Sequence, residues 1–193
     1  MNCQHYREDV EREFRRLKSL AEKALAQVTD EELFRLQGPE ENSIAIVVKH
    51  MAGNLRSRWT DFLTTDGEKP DRNRDGEFVI ERGETRSSLM ERWENGWRAL
   101  FTAIGPLTDR DLEAKVRIRG EEHSVVQAIQ RQISHYAYHV GQIVLLARHF
   151  AGPRWHTLSV PRGGSTTYNV RPESYLGGAG GPRGSGGTGD GGR

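Results

Sequence analysis

Between Ser124 and Phe150 the chain holds one uninterrupted helical pattern, SVVQAIQRQISHYAYHVGQIVLLARHF, and a rod of that length obliges the other elements to pack along it. Val126, Ile129, Ile133, Val140, Ile143, Val144 and Ala147 recur at helical spacing and predict the stripe that faces a core. His135 and His139 fall outside that stripe. Four residues apart, they project from the same side of the helix, about 40° from each other, because ~3.6 residues make a turn. They share their flank with Ala128, Gln132, Gln142 and Leu146, roughly 120° round from the predicted apolar centre.

Three further helices are predicted to pack against this one. The first runs from about Gln4 to Val28, with Tyr6, Val10, Phe14, Leu17, Ala21 and Leu25 among its apolar positions. Thr29 and Asp30 then suit the start of a short turn that Gly38 and Pro39 stop. Asn42 or Ser43 caps the second helix, whose apolar face carries Ile44, Val47, Val48, Met51, Leu55, Trp59 and Phe62. His50 lies off that face, on a flank with Ile46, Asn54, Ser57 and Asp61. Thr85 caps the third helix, which Gly105 and Pro106 end. Between helices two and three, residues 64–83 form a long stretch rich in Gly, Pro, Asp and Arg, read either as a crossover or as a lid.

Two smaller features flank the last helix. KVRIRGEEHSV alternates apolar and polar residues around Gly120, as a short hairpin would. After Pro153 no helical period returns, and WHTLSVPRGGSTTYNV reads as an extended strap. Residues 1–170 are therefore assigned to one all-α domain. Residues 171–193, RPESYLGGAGGPRGSGGTGDGGR, offer too little apolar surface to offset the entropy of ordering them, and are expected to form a disordered tail.

The charge balance narrows the function classes. Lys and Arg total 28 against 27 Asp and Glu, which predicts neither a nucleic-acid binder nor a polybasic membrane protein. No apolar run approaches the ~18 residues of a membrane span, and MNCQHYREDVEREF is charged where a secretory signal needs an apolar segment. With a single cysteine, Cys3, no intramolecular disulfide can form, and a cytoplasmic protein is expected.

His50, His135 and His139 together would offer three nitrogen ligands to one divalent ion and leave a fourth position open, as a catalytic site needs. A closed structural zinc site would require four protein ligands, commonly with thiolates, and Cys3 is the only thiol. His5, His123, His149 and His156 have no partner at helical spacing and are read as surface or capping residues.

The segments NSIAIVVKHMAGN, TDFLTTDGEKP and RGEEHSVVQAIQRQISHYAYHVGQIV resemble the DinB/YfiT-like superfamily of metal-dependent bundle proteins, and within it the YizA-like branch, over most of residues 5–165. The resemblance implies an up-down-down-up four-helix bundle with a metal, nickel or zinc, between helices two and four. His50 occupies the position of the family's ligand from helix two, and His135 and His139 that of its H-x-x-x-H pair. It also implies a homodimer and a small-molecule ligand. Characterised members of the superfamily are transferases and isomerases that use a low-molecular-weight thiol, so a thiol cosubstrate is an expectation here, with Asn54 and Gln142 as polar neighbours of the site. Arg56, Arg58, Arg72, Arg74 and Arg131 are candidates to receive a carboxylate of that cosubstrate, against the alternative of ordinary ion-paired arginines. The competing functional expectation is a non-catalytic metal-binding module for stress response or small-molecule binding.

Overall fold

Helices dominate the computed structural model, which describes residues 3–170. In chain order they are α1 (Cys3–Leu25), α2 (Asp30–Phe34), α3 (Ile44–Trp59), α4 (Arg86–Ile104), α5 (Asp109–Glu113), α6 (Val125–Ala151) and α7 (Ser165–Val170). A two-stranded antiparallel ribbon, β1 (Lys115–Ile118) and β2 (Glu121–Ser124), is the only sheet among the described residues. No helix there is long and apolar enough to cross a membrane. The expected tail from residue 171 onward lies outside the described residues.

Local chemistry sets most of the boundaries. The Ser43 hydroxyl, rather than Asn42, caps α3 by accepting the Ile46 N–H at 3.2 Å. Thr29, Thr85, Thr108 and Ser124 open α2, α4, α5 and α6 with reciprocal capping boxes. The predicted hairpin is present, in the register Val116 opposite His123 and Ile118 opposite Glu121. Its two-residue turn places Arg119 at φ 57° and Gly120 at φ 77°, a left-handed pair that matches the twist of the strands. Beyond Trp59 the chain leaves the helix, and Phe62 is buried from the turn that follows.

α3 is the most enclosed element. Of its residues only Gly53 and Arg56 escape full burial, because α2, α4, α6 and the Asp75–Phe78 turn all pack on it. α4 comes closest at Gly96, where a Cβ would stand 2.8 Å from the Leu55 Cβ and 3.2 Å from the Ala52 carbonyl. α1 packs on α6 and on α4, and α3 on α6, so a single apolar core runs between the long helices. At its centre Phe14 meets Trp59, Trp97 and Tyr136 with ring centroids 5.8, 6.3 and 5.9 Å away.

The inward face of α6 keeps Ile129, Val140, Ile143 and Ala147 of the predicted stripe, all buried, but is not confined to it. Tyr136 is fully buried and Ala128 and Gln132 nearly so, while Val126, Ile133 and Val144 are only partly buried. The core face is rotated toward the histidine flank, because the bulkiest apolar side chain of the helix is Tyr136 rather than a branched aliphatic. Ala128 and Gln132 therefore belong to the core.

Two compact units divide between Leu158 and Ser159. In the first, Trp155 and Leu158 pack against the core as the strap reading expected, and the His156 backbone N–H donates to the Gln27 side-chain oxygen at 2.6 Å. In the second, residues Ser165–Val170 are helical, contrary to the expectation of an extended strap throughout. A run of polar residues with one turn of helix carries no periodic apolar signal from which it could have been read.

The long 64–83 segment is a docked crossover. Asp66 accepts the backbone N–H groups of Glu68, Arg119 and Gly120 at 2.7, 2.8 and 2.7 Å, which joins the crossover to the hairpin turn. Ser57 donates its hydroxyl to the Gly67 carbonyl at 2.8 Å, and buried Lys49 donates to the Val79 carbonyl at 2.6 Å, so α3 holds both ends.

Candidate metal centre

α3 contributes His50 and α6 contributes His135 and His139 to one cluster, in which a nitrogen from each ring lies within 4.8 Å of the other two. The ring centroids are 5.6 Å apart for His50 and His135, 4.9 Å for His50 and His139, and 4.6 Å for His135 and His139. An ion with metal–nitrogen bonds of about 2.0–2.1 Å needs nitrogens roughly 3.3 Å apart; the Nε2 atoms of His135 and His139 stand 3.0 Å apart, and a nitrogen of His50 lies within 4.8 Å of each partner. His50 is buried and the other two rings are half-buried, leaving the α6 side of the cluster open to solvent.

The outer ring atoms say which nitrogens face inward. His50 donates its Nδ1–H to Glu77 Oε2 at 2.9 Å, and His139 donates its Nδ1–H to Gln142 Oε1 at 2.7 Å. Each therefore presents the lone pair of Nε2. Gln142 in turn donates from Nε2 to the Tyr138 hydroxyl at 3.2 Å.

His135 completes the test of fit. Its Nε2 stands 3.0 Å from His139 Nε2, and its Nδ1 is buried without a hydrogen-bond partner. With the proton on Nδ1, two lone pairs confront each other at Nε2. With the proton on Nε2, a buried acceptor is left bare. A cation shared by the two Nε2 atoms removes the first conflict, so the donor set fits a divalent metal ion.

Burial disfavours the charged form of both α6 rings. Burial, then the neighbouring charges of His139, His50, Arg58 and Arg72, pushes His135 down to about 3. Burial likewise lowers His139, against the opposing pull of Gln142. For Glu77, burial alone would raise the carboxyl, but the bonds from His50 and Arg72 outweigh it and hold the group below the usual carboxylate range.

A pH effect on the metal-free protein follows. The unfolded chain binds a proton at His135 near pH ~6.5, whereas the folded chain does so only near 3, so the unfolded state carries more protons between those values. Stability should rise with pH in that window and fall as pH drops from about 6.5. Thermal melts in chelator from pH 7 to 4.5 are expected to show a declining midpoint, with a shallower slope for His135→Gln. Equal slopes for the two proteins would contradict the assignment.

Glu77 and Phe78 were not found in the sequence, and Arg72 was singled out there in another role, as a candidate for the carboxylate of a cosubstrate. Arg72 grips Glu77 with two bonds, from Nε to Oε1 and from a terminal nitrogen to Oε2, both 2.8 Å. Phe78 lies against His50 with ring centroids 4.9 Å apart. The signal that was available is Gly53, a mid-helix glycine one turn from His50, because glycine within a helix marks a close approach. A Cβ at Gly53 would stand 2.6 Å from Glu77 Cδ. Gly53→Ala is thus expected to lower the thermal midpoint by the equivalent of about 1–3 kcal/mol through overpacking, in spite of the ~1 kcal/mol by which alanine favours a helix. A raised midpoint would contradict this.

The candidate arginines are engaged elsewhere. Arg56 pairs with Asp71, Arg58 with Glu68 at 3.0 Å, and Arg72 with Glu68 and Glu77. Arg74 lies 5.2 Å from the centroid of the Phe78 ring, and Arg131 bonds His123 Nε2 at 3.0 Å. Asn54 is turned to Tyr136, while Gln142 does adjoin the cluster. His5, His149 and His156 are exposed, as the sequence suggested.

No curated protein and no solved structure matches the chain. Its sequence does match, over residues 2–164, the family described as "Protein of unknown function (DUF1572)", and to that family the chain belongs.

Proposed function

We propose that this protein is a divalent-metal-dependent enzyme of DinB-like four-helix-bundle architecture, with His50, His135 and His139 as the ligands of one zinc or nickel ion. The reaction we assign is a thiol-dependent transfer, or a related hydrolysis or isomerisation, on a small molecule. One observation carries the reading above the rest: ring nitrogens from two helices converge within 4.8 Å, and two of the three rings have their outer nitrogen tied back. The pairwise packing of α1, α3, α4 and α6 supports the bundle. The resemblance of the motifs around His50 and His135 supports the thiol, a homodimer and a cytoplasmic setting.

A bound divalent ion would supply Lewis acidity and lower the pKa of a thiol or water brought to it. The chain's own residues do the remaining work. Glu77 and Gln142 hold two rings with Nε2 inward, burial keeps His135 and His139 in the form that offers a lone pair, and α3 closes the His50 side of the site. Solvent reaches the cluster from the α6 side, past exposed Tyr138, where a small substrate would enter.

Protein purified without an affinity tag is expected to carry about one zinc or nickel per chain by elemental analysis. Bacillithiol, mycothiol and glutathione, each titrated with an electrophile present, should then reveal one thiol that consumes it. Stoichiometric metal with no turnover for any thiol would favour the second reading, a non-catalytic metal-binding module. A specific observation speaks for that alternative: the carboxylate that reaches the cluster, Glu77, is committed to His50 and Arg72, which leaves it unfit as a general base.

A further inference from the structure

We infer that Glu77, clamped by Arg72, is the positioning residue for His50, and that metal binding and docking of the crossover around residues 68–78 stabilise each other. The inference rests on the metal reading above and adds residues and a linkage to it.

The Glu77 carboxylate has no freedom to turn. Oε2 accepts from His50 at 2.9 Å, both oxygens accept from Arg72 at 2.8 Å, and the missing side chain of Gly53 leaves the space that the carboxylate fills. A carboxylate on Nδ1–H fixes the ring tautomer and raises the basicity of Nε2, the atom that faces the other two histidines. Gln142 holds His139 in the same way but carries no charge, and His135 has no outer partner. His50 is therefore the ring most dependent on what lies behind it.

What lies behind it is a connected series of ion pairs. Arg72 also bonds Glu68 at 3.2 Å, and Glu68 accepts from Arg58 on α3 at 3.0 Å and from Arg119 in the hairpin turn at 3.2 Å. Phe78, one residue beyond Glu77, packs its ring on His50. The crossover thus reaches the cluster only in its docked position. Any ion that prefers the docked state must stabilise that state by the same factor.

The test uses the full chain and zinc. Isothermal titration of Glu77→Gln should give a zinc affinity roughly 10–100-fold below that of the parent protein, the usual loss when such an outer partner is removed. Hydrogen exchange of the amides of residues 68–78 should slow when zinc is added to the parent protein, and slow less in Glu77→Gln. Unchanged zinc affinity in the variant, or unchanged exchange on zinc binding, would overturn the inference. The metal-free protein gives an independent arm by nitrogen-15 spectra of the imidazoles. A single Nδ1–H tautomer at His50 that becomes mixed in Glu77→Met supports the positioning role even where zinc does not bind, whereas an identical tautomer in both overturns it. Absence of zinc binding by the parent protein would count against the metal reading and the linkage, and would leave the tautomer result to decide Glu77. If Glu77→Gln does not fold, Arg72→Gln carries the same expectations for zinc affinity and for exchange, because it leaves the carboxylate free to turn away from His50.

Discussion

His135→Ala should abolish stoichiometric metal in protein purified without a tag and weaken zinc by roughly two orders of magnitude in titration. The magnitude follows from sharing an ion's binding free energy of about 10–16 kcal/mol among its ligands, or about 3 kcal/mol for each, at ~1.4 kcal/mol per tenfold. The same substitution should cost the metal-free protein little. His135 is half-buried, its Nδ1 has no partner, and its ring resists the proton that the unfolded chain would accept, so its removal deletes unfavourable terms as well as packing. The two outcomes together separate a ligand from a structural histidine. Zinc affinity equal to that of the parent protein would exclude His135 from the site, and a large loss of metal-free stability would mark it as a core residue.

The second large effect is expected at Tyr136. Its hydroxyl donates to Asn54 Oδ1 and accepts from Trp59 Nε1–H, both at 3.1 Å, and all three side chains are buried. Tyr136→Phe keeps the ring against Phe14 and Trp97 but strands a buried donor on Trp59 and a buried acceptor on Asn54. At about 1–3 kcal/mol for each of the two unsatisfied groups, the substitution should cost about 2–6 kcal/mol, a large part of the stability of an ordinary domain. Because Tyr136 follows His135 and Asn54 stands one turn beyond His50, these bonds also set the distance between the helices that carry the cluster. Denaturant titration should show a lowered midpoint with an unchanged slope. A change below ~1 kcal/mol would mean that the polar bridge contributes little.

The rods and their ends were legible because they depend on local chemistry. Thr29, Thr85 and Ser43 carry the cap signal in their own side chains, and Gly120 marks the hairpin turn without reference to the rest of the molecule. The histidines were legible for a related reason: on an amphipathic helix a titratable residue beside the apolar face has a direction that the period alone predicts. Orientation within the core was less so. Ile129, Val140 and Ile143 are buried as the period predicts, but Tyr136, which the stripe left out, also turns inward, where its hydroxyl finds Trp59 and Asn54 on a helix far away in sequence.

Glu77, and the part Arg72 plays behind His50, lay beyond that kind of reasoning. They sit in a segment without periodicity, and their position follows from bonds to Ser57, Arg58 and the hairpin turn that only the folded chain brings together. The long 64–83 stretch could be recognised as unusual from its length, but whether it closes over the site or braces it depends on those bonds. Gly53 was the one local trace of its docking.

The most direct measurement is anomalous diffraction at the absorption edge of zinc or nickel from crystals of the metal-loaded protein. One strong peak is predicted between the three rings, about 2.0–2.1 Å from a nitrogen of His50, of His135 and of His139, with a fourth ligand that is not a protein side chain. A peak elsewhere, or rings that decline the metal altogether, would contradict the account.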